Sequence, residues 1–447
     1  MRNNRKLALS GLAAWVFVGS CQDPYCQGHE NDPECQIAFE LIQSEYTKGV
    51  DSGIKVRVTL KEKESLSAQL EQGNVSVNLV PNLIDGNDYM LTINDKFAKF
   101  RLGDVTLNLQ QGFRRAAPGT AHLIKPLIYA KPVVFTSPIV AKANYPVLEF
   151  MGIGKAIFGL VSGNTLNVDA RLVRRYIFGP GGLAESTTGE FFSLPVASSA
   201  LISVTLGSIF LSNNPENMPA TAYKCSTASA SIMKADCTAL NFSLPAGTKT
   251  MLVTPDDSRM ILADDKGKVS WCNLAAQEKP PCANSIAPTS AGVLLALSDF
   301  NNDKKQDLLA CWVDGGSLKV GVYPGTDAGF ATAADPTLSQ KLSAAMGTAA
   351  MDAMAAGDID GDGFDGDVVF ARGLKVTVLQ SQLDGFKPVW SADLEPAKAG
   401  PKINTLAVGR LDASSTADKP MDILAASNTA YNPQNESTLY IHVFRPQ

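Results

Sequence analysis

Residues 294–323, LLALSDFNNDKKQDLLACWVDGGSLKVGVY, and residues 353–379, AMAAGDIDGDGFDGDVVFARGLKVTVL, follow one plan and decide the fold. Each is an apolar run, a loop dense in Asp and Asn, a run of the type DLLAC or DVVFA, a Gly turn, and a last run of the type LKVGVY or LKVTVL. Short apolar runs rich in β-branched residues and separated by Gly, Asp and Asn read as antiparallel strands. A third, looser copy is TLAVGRLDASSTADKPMDILAAS at 405–427 followed by LYIHVF at 439–444, and MLVTPDDSRMILADDKGKVSWC at 251–272 keeps the same order. Units recurring at roughly 50 to 60 residues, starting at Asp299, Asp358 and Arg410, are long for four-stranded propeller blades but within reach of them when loops are long. On this reading residues 139–447 form a β-propeller of six or seven blades.

The acidic loops carry the chemistry. Asp358, Asp360 and Asp362 alternate, Gly363 follows the third, and Phe364 offers a backbone carbonyl; Asp299, Asn301 and Asp303 repeat the alternation, with Lys305 in the place of Phe364. Calcium is a hard cation that takes six to eight oxygens, and alternate carboxylates of a tight loop converge on one point. This pattern resembles the calcium loop of FG-GAP/VCBS-type repeats, the blades of integrin α-subunit propellers and of many bacterial surface proteins. The resemblance implies bound calcium (Ca2+) with a structural role, and a last carboxylate at the ninth loop position. Asp307 obeys that spacing, although Lys304 replaces the usual Gly; in the second loop the ninth residue is Gly366, and a one-residue bulge would bring in Asp367. An EF-hand is disfavoured, because the twelfth residue from Asp358 is Val369 where a bidentate Glu is needed and the flanks read as strands. The third loop begins with Arg410 and lacks alternating acids, so no metal is expected there.

Working back toward the start, residues 37–138 hold shorter alternating runs, IKVRVTL, VSVNLV, YMLTI, DVTLNL and PVVF, broken by DGND and APGT. Strand number and spacing suit an immunoglobulin-like sandwich, with ECQIAFELIQSEY at 34–46 a candidate short helix. The chain is therefore expected to be all-β.

At the N-terminus the basic MRNNRK precedes LALSGLAAWVFVGS, an apolar stretch too short to span a bilayer. Val18-Gly19-Ser20-Cys21 resembles the bacterial lipobox, which implies a lipoprotein signal at 1–20, a diacylated Cys21 and a membrane attachment through lipid alone. The polar stretch 21–36 reads as a tether. Gln22 is not the Asp that retains such proteins in the inner membrane of enteric bacteria, so the outer membrane is expected. Eight cysteines suggest the short-range pairs Cys26–Cys35, Cys225–Cys237 and Cys272–Cys282, with Cys21 for the lipid and Cys311 free in an apolar run. An exported chain meets the oxidising conditions such pairs need.

Of 39 basic and 44 acidic residues the leader holds Arg2, Arg5 and Lys6, so the remainder is acidic. An acidic body with no basic face gives no reason to bind nucleic acid. His29, His122 and His442 are the only histidines, and GxSxG, HExxH and P-loop patterns are absent. The expectation is a non-catalytic binding or adhesion module with a protein or glycan partner; the alternative is a lipoprotein subunit of an envelope machine, and a carboxylate-based glycan-active enzyme comes third.

Overall fold

A computed structural model describes residues 26–29, 32–59, 65–139, 147–150, 156–165, 168–179, 182–185, 192–195, 199–205, 208–214, 220–226, 237–275, 282, 284–286, 292–411, 418–429 and 437–447. Cys21 and the leader lie outside them. The chain divides into two compact units, one of residues up to Leu123 apart from Arg101–Gly103, the other of those three and Ile124–Gln447.

In the first unit alternation places Ile54, Val56 and Val58 of strand Gly53–Thr59 in the core, with Leu70, Leu91, Leu107 and Leu123 from other strands. The strands pair into one nine-stranded sheet. Strand Val75–Asp85 changes partner midway: Val75 to Leu79 pair with Leu66–Gln72, whereas Val80 onward pairs with Asp88–Thr92. Strand Gln36–Leu41 does the same, parallel to Arg114–Ala116 at Gln36 and Ile37 and antiparallel to Gly53–Thr59 from Ala38. Arg114–Ala116 also pairs with Gly103–Gln111, so the sheet returns on itself. An immunoglobulin-like sandwich has two sheets, and here Gln36–Leu41 and Val75–Asp85 each pair in two sets of strands and join them. Period-two alternation identifies the buried face of each strand and says nothing about partners.

One expectation is corrected here. Residues 36–41 and 45–47 are strands rather than a helix, after a 3-10 turn at Pro33–Cys35. In the expected tether the Cys26–Cys35 pair is formed, and both cysteines are buried.

The second unit has the propeller-like arrangement. Successive antiparallel sheets begin with strands Val147–Phe150, Ser199–Val204, Thr248–Val253, Leu294–Ser298, Ala353–Gly357 and Thr405–Gly409. These opening strands pack side by side in that order, and the last returns to the first. A sheet with one strand toward a common axis and the next blade against its face buries both faces, which is why Leu308, Leu309 and Ala310, like Val368, Val369 and Phe370, are all buried without alternation.

The ring is joined by an earlier strand. Val133–Ile139 pairs along its whole length with Ser437–Phe444, the last strand of the chain, in the sheet that holds Thr405–Gly409 and Asp422–Asn428. PVVF at 132–135 therefore belongs to this unit, although the expected boundary placed it in the preceding domain. The pairs Cys225–Cys237 and Cys272–Cys282 form, and Cys311 is free and buried. One helix of the described residues was not foreseen, Pro336–Met346, begun by Asp335 whose side chain accepts the Leu338 N–H at 2.9 Å, with Pro at the first turn.

Candidate functional site: the acidic loops

Each acidic loop leaves the end of an opening strand and enters the next strand at an Asp. In register, Ser298 faces Asp307, Gly357 faces Asp367, and Gly409 faces Asp422. The three Asp residues are buried and act as the same clamp. One oxygen accepts loop N–H groups: Phe300 at 2.9 Å and Asn301 at 3.2 Å for Asp307, Asp360 at 3.1 Å for Asp367, Leu411 at 2.8 Å for Asp422. The other oxygen takes a donor at or just past the end of the third strand: Gly325 N–H at 2.7 Å, Ser381 N–H at 2.7 Å, and Arg445 Nε at 3.1 Å. Asp367 thus occupies the position of Asp307 despite one extra loop residue. Phe300, Ile359 and Leu411, each following the first loop residue, are buried and anchor the loops in the core.

Within the first two loops the backbone is held bond for bond alike. Asp362 N–H donates to Asp358 Oδ1 at 2.9 Å and to Asp360 Oδ1 at 2.8 Å, while Gly363 N–H reaches Asp358 Oδ2 at 3.2 Å. In the first loop Asp303 N–H donates to Asp299 Oδ1 at 3.0 Å and Asn301 Oδ1 at 2.9 Å, and Lys304 N–H to Asp299 Oδ2 at 2.7 Å. Phe364 N–H meets Asp362 Oδ1 at 2.8 Å, and Lys305 N–H meets Asp303 Oδ1 at 2.8 Å. Lys304 takes φ +68° where Gly363 takes +85°, so the missing glycine costs strain rather than shape.

The loops differ in burial and charge. Asp358, Asp360, Asp362 and Asp367 are all buried, with carboxylate oxygens of Asp358, Asp360 and Asp367 within 4.8 Å of one another. In the first loop Asn301 stands at the position of Asp360, and Asp303 is exposed. Burial, then the charge of Asp362, pushes the Asp358 carboxyl up to about 6. Asp360 and Asp367 are likewise raised, first by burial and then by neighbouring carboxylates. Burial also raises Asp307, to about 6.

Sequence reading missed the groups around the second loop. Gln380 Nε2 donates to Asp360 Oδ2 at 2.5 Å and to Lys125 O at 3.0 Å. Arg410 lies 4.0 Å from Asp358 Oδ2, and Arg101, which donates to Ser381 Oγ at 2.8 Å, sits in the field of Asp362, Asp299 and Asp367. Gln380 ends a strand-like run with no motif of its own, and Arg101 is remote in sequence, so no local signal marks either.

An all-oxygen, acid-rich and buried donor set is of the kind a hard divalent cation takes, and Asp358, Asp360 and Asp367 are the residues that could hold one. Among the described residues the carboxylates that converge are those of Asp358, Asp360 and Asp367; Asp362 and the first loop's Asp299, Asp303 and Asp307 fall outside that group. Of the histidines, His122 pairs with Asp104 at 2.7 Å, and His442 is buried with Nε2 2.8 Å from Lys398 O.

The strand pairing and the returning ring of opening strands define a chain with a β-propeller-like body. No protein-family model matches the chain, and comparison with curated proteins gives no match. Among solved structures, a structural genomics protein of unknown function from Bacteroides thetaiotaomicron is 12% identical over 93% of this chain and 99% of that one, with a TM-score of 0.38. The WD40 β-propeller domain of Doa1 is 8% identical over 71% and 97%, TM-score 0.39, and the Cps50 (Swd1) β-propeller domain from Myceliophteria thermophila is 9% identical over 71% and 99%, TM-score 0.39. Likenesses this distant carry no argument about function.

Proposed function

We propose that this chain is a lipid-anchored, extracytoplasmic binding protein whose six-bladed propeller is stabilised by calcium and offers non-catalytic surfaces to a protein or glycan partner. Cys21 carries the lipid, and the outer membrane is the site of anchoring. The observation that supports the reading most is the buried convergence of Asp358, Asp360 and Asp367, with Asp362 beside them. Carboxylates so placed repel one another and are poorly hydrated, so the loop needs protons or a cation to be comfortable at neutral pH. A cation there ties the Ala353–Gly357 and Asp367–Arg372 strands at one end, and through Asp367 it reaches the third strand at Ser381. The site is then structural, and recognition belongs to surfaces that the stiffened body presents.

The first loop, with Asn301 and an exposed Asp303, is a weaker site of the same kind. Equilibrium dialysis of the chain against radioactive calcium tests the reading. Saturable binding that is lost in Asp358→Asn with Asp360→Asn is expected; no binding, or binding indifferent to both changes, contradicts it.

A further inference from the structure

The first unit carries a groove of about 670 Å³ on the outer face of strands Leu66–Gln72, Val75–Asp85 and Gly103–Gln111, walled on one side by Arg115 to Pro118. That volume lies within the range of small-molecule and oligosaccharide pockets. Register sets its floor. Asn78, Gln69 and Asn108 stand abreast across the three strands, and Ser67 faces Gln110 in the next row. Glu71, two residues on, is flanked by Ser76 and Thr106. The opposite face of the same strands is the core, with Ala68, Leu70, Leu107 and Leu109 buried.

Asn is among the residues depleted from strands, and a central row of three primary amides lacks the β-branched or aromatic cross-strand pairs that stabilise a sheet. A break with local preference at the floor of a groove marks a functional site more often than a packing solution. The amides do not satisfy one another well: the Gln69 Nε2 to Asn78 Oδ1 bond is long, at 3.4 Å. Each primary amide presents a carbonyl acceptor and an NH2 donor side by side. That pairing matches neighbouring hydroxyls of a sugar ring, each of which both donates and accepts. Charge points the same way, since among the described residues lining the groove Glu71 and Arg115 are the charged ones, and they are of opposite sign.

We propose that this groove binds a neutral glycan chain, read by the amides of Gln69, Asn78, Asn108 and Gln110. The proposal rests on the binding-protein reading above and gives it a ligand class and a location. It does not depend on calcium, because the groove and the acidic loops belong to different units.

The test is a glycan array with neutral and acidic glycans, followed by titration of the full chain with neutral hexasaccharides that score. A neutral glycan should bind, and Asn78→Ala or Asn108→Ala should each weaken it by about tenfold, the effect of losing one or two well-made hydrogen bonds. Asn108→Thr separates function from folding: it should weaken binding about as much as Asn108→Ala while leaving the melting temperature equal or higher, because Thr suits a strand better. Failure of every glycan to bind, a preference for acidic glycans alone, binding that survives these substitutions, or capture of an unglycosylated protein at the same residues would each overturn the proposal. A chain that takes up calcium yet binds no glycan fails here and leaves the propeller reading intact.

Discussion

Arg445 and Asp422 form an ion pair at the position where the preceding loop holds its cluster of acids. Arg445 Nε lies 3.1 Å from Asp422 Oδ1, whose side chain is 6% exposed; the corresponding oxygen of Asp367 takes the Ser381 N–H instead. The loop that starts with Arg410 thus has a protein cation on its clamp, while the loop that starts with Asp358 gathers carboxylates. Removing one partner of a buried pair strands the other charge, at about 3 kcal/mol, less when one partner is part-exposed as Arg445 is. Arg445→Met should therefore lower stability by about 2 kcal/mol to the same extent with calcium and with chelator, as chemical denaturation would measure.

The metal-free acidic loop should respond to pH in the direction opposite to ordinary surface carboxylates. Asp358 in the folded chain is pushed up to about 6 from an ordinary 3.8, and Asp360 is raised also. A raised folded-state value means that protonation favours the fold: the contribution is complete below about 4 and is lost as pH rises through about 6 and above. In chelator, the melting temperature should rise on going from neutral to mildly acidic pH, and Asp360→Asn should flatten that rise. Melts across this window check it.

Two glycines of the same loop should behave differently on substitution by Ala. Both have positive φ, +69° at Gly361 and +85° at Gly363, but a Cβ on Gly361 would collide with the backbone of Lys419, whereas one on Gly363 meets open space. Gly363→Ala should cost about 1–2 kcal/mol, the strain alone. Gly361→Ala should cost clearly more, because a backbone neighbour has no rotamer to move to. Lys304, at φ +68° in the first loop, is the natural counterpart of the cheaper change.

How much of this was legible depended on whether the signal was local. The repeated DLLAC and DVVFA runs gave strands, and Asp307 and Asp367 gave the ends of the loops, because Asp turns and apolar runs act over a few residues. The one-residue bulge before Asp367 was inferable because DVVFA aligns with DLLAC. The partner of PVVF was not, since its pairing with the last strand spans some three hundred residues and leaves no mark at either end. The same holds for the mid-strand partner change at Leu79 and Val80, where two adjacent apolar residues, one buried and one exposed, interrupt the alternation without marking the new neighbour. The helix Pro336–Met346 has an Asp-Pro start signal, but it lies among strand-like runs that dominate the local pattern. Gln380 and Arg101 escaped because a side chain that serves a loop from a distant segment has no spacing rule.

Membrane attachment should depend on Cys21. Two acyl chains suffice for stable anchoring, each buried methylene contributing about 0.8 kcal/mol. Cys21→Ser should move the protein from the detergent phase to the aqueous phase, and mass spectrometry of the mature N-terminus should find the acylated cysteine. An unmodified Cys21 on an aqueous wild-type protein would contradict the anchor.

The most direct measurement of the central claim is a pair of thermal melts, one in saturating calcium and one in chelator, on the wild-type chain and on Asp360→Asn with Asp362→Asn. A ligand at about 100 times its dissociation constant adds about 2.7 kcal/mol to a fold that alone binds it. In a body of this size that should raise the melting temperature by a few degrees, about 2–4 °C per kcal/mol at most. The double variant should lose most of the rise, and Asp303→Asn, at an exposed position of the first loop, a smaller part. Coincident wild-type melts in calcium and chelator would make the acidic loops ordinary turns and contradict the calcium-stabilised propeller.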